Sequence, residues 1–452
     1  VYGGFTTGTG KTTGNTVNLG DGEHSLAAGT TINGTIYGGS GTDTTGNVLN
    51  VNTNATVGNI ANFGMVNFNY KAITTSDANP MLTISGGATT FDWEKFTYKG
   101  AMPTSGKLTL MKNTANINLG TTYRGAKELP GSDTTEAFID TNTSAATATE
   151  ILIKGYTFKG NALTPTTGSA TEDVWAGRSV IGNTTTGNTL TVNGTTHRDA
   201  YGGWTAGTGT SKAAKKDSTG NTVNLGDGTE AGKLTTPAGA ATVAGTIYGG
   251  SNASNTTGNV LNVNGNATVG NIKNFAAVNF HYASATTNTA SPMLKITDGV
   301  ATAFDWSTFD YTGGIPMSGK LTIMANAAGI NVANYTGARD LVGASANSEI
   351  TIDTENHTAS SKKIVIDGLT FRYAKVKPEA NTIGTDEEDV WGGRSVLGNT
   401  TTHNVLTIDK GTEHRDAYGG WTAGTGTTRT AKKDSTENTV NLVDGKVRNL
   451  YG

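Results

Sequence analysis

The chain has 452 residues, with 33 basic and 36 acidic side chains giving a formal charge of −3, too balanced to suggest a nucleic-acid or membrane-surface partner. Only 35% of residues are hydrophobic and 63 are glycine, thin apolar bulk for a conventional globular core, and the absence of cysteine excludes a disulfide framework and thiol chemistry. No apolar run reaches the ~18 residues that a membrane-spanning helix needs.

The first stretch, Gly3 to Asn15, reads GGFTTGTGKTTGN and has the glycine content of a phosphate-binding loop. That loop needs a glycine five residues before Gly10, and position 5 is Phe5. It should also open a helix, whose N-terminal amides would face the phosphate. Here it opens NTVNLGDG, in which apolar and polar residues alternate as in a strand. Related stretches begin at Tyr201 and Tyr418, and neither carries Gly-Lys-Ser/Thr at the matching place. Nucleotide binding is therefore rejected. What persists is a frame: an aromatic residue, two glycines, a polar loop, then Asn and an alternating strand.

The rest of the chain follows that frame. The segment from Ile36 (IYGGSGTDTTGNVLNV) returns from Ile247, an offset of 247 − 36 = 211. FDWEKFTY from Phe91 returns as FDWSTFDY from Phe304, an offset of 213, and EDVWAGRSV from Glu172 returns from Glu388, an offset of 216. The order implies a first long unit over 1–200, a second over 201–417, and the start of a third over 418–452. Both ends fall inside a unit and no signal peptide is visible, so a segment of a longer chain is expected. Short strands punctuated by Gly and Asn recur throughout, and no long stretch keeps a 3.6-residue period. An all-β solenoid follows, in which each coil buries a narrow apolar strip against its neighbours. Gly and Asn would serve its corners, and stacked Asn and Thr would form ladders. At ~20–25 residues per coil the chain would hold about 18–22 coils, a rod of roughly 85–105 Å.

The frame carried by Tyr2-Gly3-Gly4 with Asn15 to Leu19, by Tyr37-Gly38-Gly39 with Asn47 to Val51, and by their later copies resembles the passenger regions of large bacterial autotransporter adhesins of the type V secretion class. The resemblance implies a right-handed parallel β-helix exported through the outer membrane and displayed at the bacterial cell surface. The blocks around Phe91-Asp92-Trp93 and Phe304-Asp305-Trp306 are less typical, and elaborated coils or lateral excursions are expected there.

Several side-chain groups are candidates for chemistry. His-Arg-Asp occurs at 197–199 and 414–416, but the Asn that a kinase places five residues on is Trp204 or Trp421 here. A polar corner with Arg paired to Asp is the expectation. Asp92 and Glu94 would share one face of a strand, as a glycoside hydrolase requires of its two carboxylates; the second copy has Asp305 and Ser307. A polysaccharide-degrading enzyme on a β-helix is thus the alternative to a non-catalytic scaffold, and a purely structural surface-layer or filament component is another. Asp386-Glu387-Glu388-Asp389 lacks calcium-loop spacing, and the 6 histidines show no zinc-ligand spacing, so neither metal nor cofactor is expected. The basic inserts Lys212, Lys215, Lys216 and Arg429, Lys432, Lys433, with Trp204 and Trp421 nearby, form a repeated basic-aromatic set that could grip an anionic glycan; the plainer reading of the same residues is solubilising lysines on exposed loops, with the tryptophans after Gly-Gly capping the core. The expected function is attachment to a host-cell protein or glycan, or to the same protein on a neighbouring cell, without catalysis.

Overall fold

The computed structural model describes all residues except 22–30, 71–74, 209–213, 227–240, 283–291, 314–318, 342–344, 379–386, 410, 426–430 and 433. It is nearly all β, 56% strand and 2% helix, and its parallel coils stack into a β-solenoid of about 13 turns. Coils are longer than the sequence spacing implied. Thr16 pairs with Val48 and Thr222 with Val260, so one turn takes 48 − 16 = 32 or 260 − 222 = 38 residues, against 17 between Val48 and Met65. Polar stretches such as 38–47 and 251–259, which join strands without forming one, lengthen these coils.

The chain divides into two compact units, Val1–Asn161 with Gly177–Thr184 and Ala206–Ala214, and Ala162–Ala176 with Thr185–Thr205 and Lys215–Gly452. In the first, Thr16–Leu19, Val48–Val51, Met65–Tyr70 and Phe96–Gly100 form one parallel sheet. A second sheet runs through Thr31–Tyr37, Ala55–Ala61, Leu82–Ile84 and Gly106–Asn118. Alternation decides what faces inward: Leu49, Val51 and Phe68 meet Ile36, Val57, Leu82 and Met111 in one core, all fully buried.

The second unit repeats the plan. Thr189–Val192, Thr222–Leu225, Val260–Val263, Ala277–Tyr282 and Phe309–Gly313 stack in parallel, with Ala241–Gly250, Ala267–Lys273, Leu294–Ile296 and Gly319–Ala333 in the companion sheet. The blocks around Phe91-Asp92-Trp93 and Phe304-Asp305-Trp306, where excursions were expected, stay in the parallel stack as a 3-10 turn leading into Phe96–Gly100 or Phe309–Gly313; the excursions follow them in the chain and are antiparallel. Gly106–Asn118 pairs with Thr147–Thr157, which pairs with Thr135–Thr141; in the second unit Gly319–Ala333, Ser360–Thr370 and Ser348–Thr354 do the same. After the second excursion the parallel frame resumes with Val390–Ser395, Glu413–Thr422 and Lys446–Tyr451.

The aromatic-Gly-Gly…Gly-Asn frame has a steric and a polar cause. A Cβ on Gly249 would lie 2.5 Å from the Asn274 carbonyl oxygen, and one on Gly250 would lie 2.1 Å from that of Ser218. No side chain fits at either place, so the strand can bend there only as glycine. The second glycine also clears the buried asparagine: a Cβ on Gly393 would meet Asn404 Nδ2 at 2.2 Å. Those asparagines form a continuous internal ladder. Asn188 donates its backbone N–H and its Nδ2 to Asn221 Oδ1 at 3.1 and 2.9 Å, and Asn221 donates the same pair to Asn259 Oδ1. All three are fully buried, where an unmade hydrogen bond would cost about 1–3 kcal/mol. The residue before each of them holds φ near +65°, Gly187 at 64° and Gly258 at 68°, the left-handed region that favours glycine.

Candidate interaction faces

Outside each Gly-Gly bend the aromatic residues stack coil upon coil. Tyr201 and Tyr248 lie 4.8 Å apart and 5° from parallel; Tyr2–Tyr37 and Tyr418–Tyr451 are 4.6 Å apart. Trp175 and Trp391 extend two of these columns at 6.4 and 6.5 Å. Stacked rings show solvent their edges and hide their faces, so this row is a stabilising strip along the coils and offers no flat platform to a sugar. Burial, with help from Asp199, raises the Tyr201 hydroxyl well above its ordinary pKa.

Trp204 and Trp421 directly follow the Gly-Gly pair and are half-buried. The Arg394 guanidinium sits 4.4 Å from the Trp391 ring and 5.5 Å from the Trp421 ring. Trp421 is thus a partner of an internal arginine from the same unit. Of the basic inserts, Lys216 is exposed, and Lys215 and Lys432 lie on the short strands Ala214–Lys215 and Ala431–Lys432. Lys212, Arg429 and Lys433 fall outside the described residues.

The other sequence candidates resolve into structural roles. Asp92 and Glu94 do not share a strand face. Asp92 caps a 3-10 turn over Trp93–Lys95, accepting from the Glu94 N–H at 2.9 Å, and Asp305 caps Trp306–Thr308 in the same way. The cap aims a fully buried tryptophan into the core, which explains why Asp-Trp recurs and the second acid does not. In the His-Arg-Asp corners the arginine reaches past its neighbour to an earlier coil. Arg198 pairs with Asp173 through two hydrogen bonds of 2.6 and 2.7 Å, and Arg415 with Asp389 at 2.7 Å. Asp199 accepts from the Thr246 N–H, and His197 is buried with Nε2 2.9 Å from Thr195 Oγ1. Of the acidic run, Asp389 is held by Arg415 and Asp386 lies outside the described residues. Lys11, from the glycine-rich first loop, pairs with Asp43 at 3.3 Å. Among the described residues, no group of three His, Asp or Glu side chains is placed to hold a metal ion.

Sequence reading missed a buried carboxylate present once in each unit. Glu136, on an antiparallel excursion strand, accepts from Ser179 Oγ at 2.9 Å, the Val180 N–H and Asn183 Nδ2 at 3.0 Å. Glu349 accepts from Ser395 Oγ at 2.9 Å, the Val396 N–H at 2.5 Å and Asn399 Nδ2 at 2.9 Å. The donors belong to the repeated Gly-Arg-Ser-Val-x-Gly-Asn of 177–183 and 393–399. That heptapeptide, with its matching acid in TEAFIDT and SEITIDT, was the available signal. Glu136 also lines an open recess of about 430 Å³ with Glu128, Ser132, Asp133, Phe158 and Ile181. Three donors already engage its oxygens, which fits an anchor for the excursion better than a catalytic acid.

Near Glu349 the second unit carries a further buried charge. Asp367 is 4% exposed, lies beside Lys320 in register, and has one oxygen without a hydrogen-bond partner; burial raises its pKa. The first unit has Lys154 at the matching place, next to Tyr156, over which Arg178 stacks at 4.6 Å. In the second unit Arg394 lies against the Trp391 and Trp421 rings, with Asp367 and Glu349 among the carboxylates near it.

No helix among the described residues is long and apolar enough to cross a membrane. No family model, no curated protein and no solved structure matches the chain.

Proposed function

We propose that this chain is an attachment scaffold of a bacterial cell surface, an adhesin or stalk that binds a host-cell protein or glycan, or a second copy of itself, without catalysis. The observation that supports it is periodicity. Outward side chains recur with each coil, so a weak contact made once is available many times along the stack, and repeated weak contacts combine into strong attachment. The acids in the candidate catalytic positions act as caps, anchors and ion-pair partners. Export through an outer membrane and display on the cell rest on the resemblance of the repeated frame to autotransporter passengers.

The purified chain should adhere to host cells or aggregate, and should release no sugar from polysaccharides. Reversing the charge of the basic inserts (Lys212, Lys215, Lys216, Arg429, Lys432 and Lys433 each to Glu) should weaken adhesion at least about tenfold, with an unchanged melting curve. Unchanged adhesion would remove these residues from the site. Sugar release by the wild-type chain would replace the scaffold reading with the enzymatic one.

A further inference from the structure

Each unit presents a second periodic row, outside the sheet that opposes the Gly-Gly bends. Between the inward Leu49 and Val51, the side chain of Asn50 points outward. Its Nδ2 donates to Asn18 Oδ1 at 2.8 Å, and Asn67 Nδ2 donates to Asn50 Oδ1 at 2.9 Å. Two residues on, Asn69 donates to Asn52 at 2.6 Å. The second unit repeats the row: Asn224 donates to Thr191 Oγ1, Asn262 to Asn224 and Asn279 to Asn262 at 3.2, 2.9 and 3.0 Å. These are outward ladders of primary amides, all donating toward the preceding coil.

Three properties define what fits such a row. Each amide in the ladder uses one N–H and one lone pair along the stack and keeps the other N–H and lone pair for a ligand. Its spacing is that of the coils, 4.6–4.8 Å between stacked rings of the same coils. Its net charge is zero along Asn18, Asn50 and Asn67 and along Asn224, Asn262 and Asn279; the first charge in the second row is Asp310, one coil beyond Asn279. The matching ligand is an uncharged polymer whose own amides stack in an N–H···O=C chain. Between extended chains lying side by side, that bond sets a repeat of about 4.7–4.9 Å. Beside the amides, Val48 and Met65 in one unit and Val260 and Ala277 in the other are half-buried apolar side chains suited to the C–H surface of a sugar ring.

We infer that the outward asparagine rows bind an insoluble β-linked N-acetylglucosamine polymer, extending the ladder of its acetamido groups. This goes beyond attachment in general and rests on the amide rows alone, so it stands or falls separately from the basic inserts.

The test is depletion of the full chain from solution by chitin beads, with cellulose beads as a polymer of the same linkage lacking acetamido groups. One variant carries Asn50→Thr, Asn67→Thr, Asn262→Thr and Asn279→Thr. Threonine already serves in these ladders at Thr97 and Thr191, so the coils should keep their melting curve while the outward amides are lost. Expected are retention on chitin, little on cellulose, and at least a tenfold weaker retention of the variant. The charge-reversed variant should bind chitin as wild type does. Equal retention on both polymers, or a folded threonine variant that binds undiminished, would overturn the inference. So would pelleting without any polymer that disappears in the threonine variant, because the occupant of the rows would then be a second copy.

Discussion

Glu349→Ala is expected to destabilise the second unit by about 3–5 kcal/mol, since several buried donors lose their acceptor at about 1–3 kcal/mol each, less than additively. The carboxylate is 2% exposed and satisfies a hydroxyl, a backbone N–H and a side-chain amide together. The Leu397 N–H also donates to it at 3.3 Å, so its loss leaves four donors without their acceptor where water has little access. Glu349→Gln keeps one acceptor oxygen but turns an NH₂ toward one of those donors, so it should cost less than alanine. Glu136→Ala should behave alike in the first unit. Denaturant unfolding followed by hydrogen exchange in the excursion strands would measure this, since a stacked-coil protein need not unfold in one step. A loss below about 1 kcal/mol would show that the excursion is held by its apolar face alone.

Trp306→Ala should cost a similar amount, about 3–5 kcal/mol, through lost transfer energy and the cavity left behind. The ring is 1% exposed, donates from Nε1 to the Gly337 carbonyl at 3.2 Å, and packs against Phe309 and Tyr335. The Arg339 guanidinium lies 4.6 Å from it and donates from Nη2 to the Phe309 carbonyl at 2.6 Å, so removing the ring also takes a cation–π contact from that cation. Trp306→Phe keeps most of the packing and should lose only about 1–3 kcal/mol. In the first unit Trp93 has Lys127 over its ring at 5.0 Å. Trp93→Ala should therefore be as costly in packing and lose less from the cation, whose ammonium also pairs with Glu94. Equal tolerance of Ala and Phe at Trp306 would mean that the ring does not fill the core.

The repeated frame was legible because it is local. Gly-Gly, the left-handed residue before Asn, and the alternating strand each follow from what one or two adjacent positions must do. The internal Asn ladder was legible too, since the same residue returns just before the strands that begin at Thr16, Val48, Thr189, Thr222 and Val260. Coil length was not, because polar stretches between strands, such as 38–47 and 251–259, lengthen a turn without leaving a periodic mark. Asp92 and Glu94 were misplaced on a strand for a different reason. A single 3-10 turn of three residues is too short to show a period, and only the burial of Trp93 reveals that Asp92 is a cap. The partners of Arg198 and Glu136 lie 25 and 43 or more residues away, so chemistry at one position could not name them. Trp421 could be read as a surface aromatic or as a cap on the core, and no local signal pointed to Arg394 of the preceding coil, which lies against it.

The chain has no cysteine, so a pair introduced by substitution reports coil register without interference. Asn50 and Asn67 are direct neighbours on adjacent parallel strands, while Asn18 and Asn67 are two strands apart. Neighbouring strands lie about 4.7–4.9 Å apart, within the span a disulfide can bridge, and alternate strands lie at roughly twice that, beyond it. Mild oxidation should therefore close the Asn50→Cys/Asn67→Cys pair within one molecule and leave the Asn18→Cys/Asn67→Cys pair reduced. If the first pair stayed open while the second closed, the coils would not be stacked in this order and the scaffold account would fail with them.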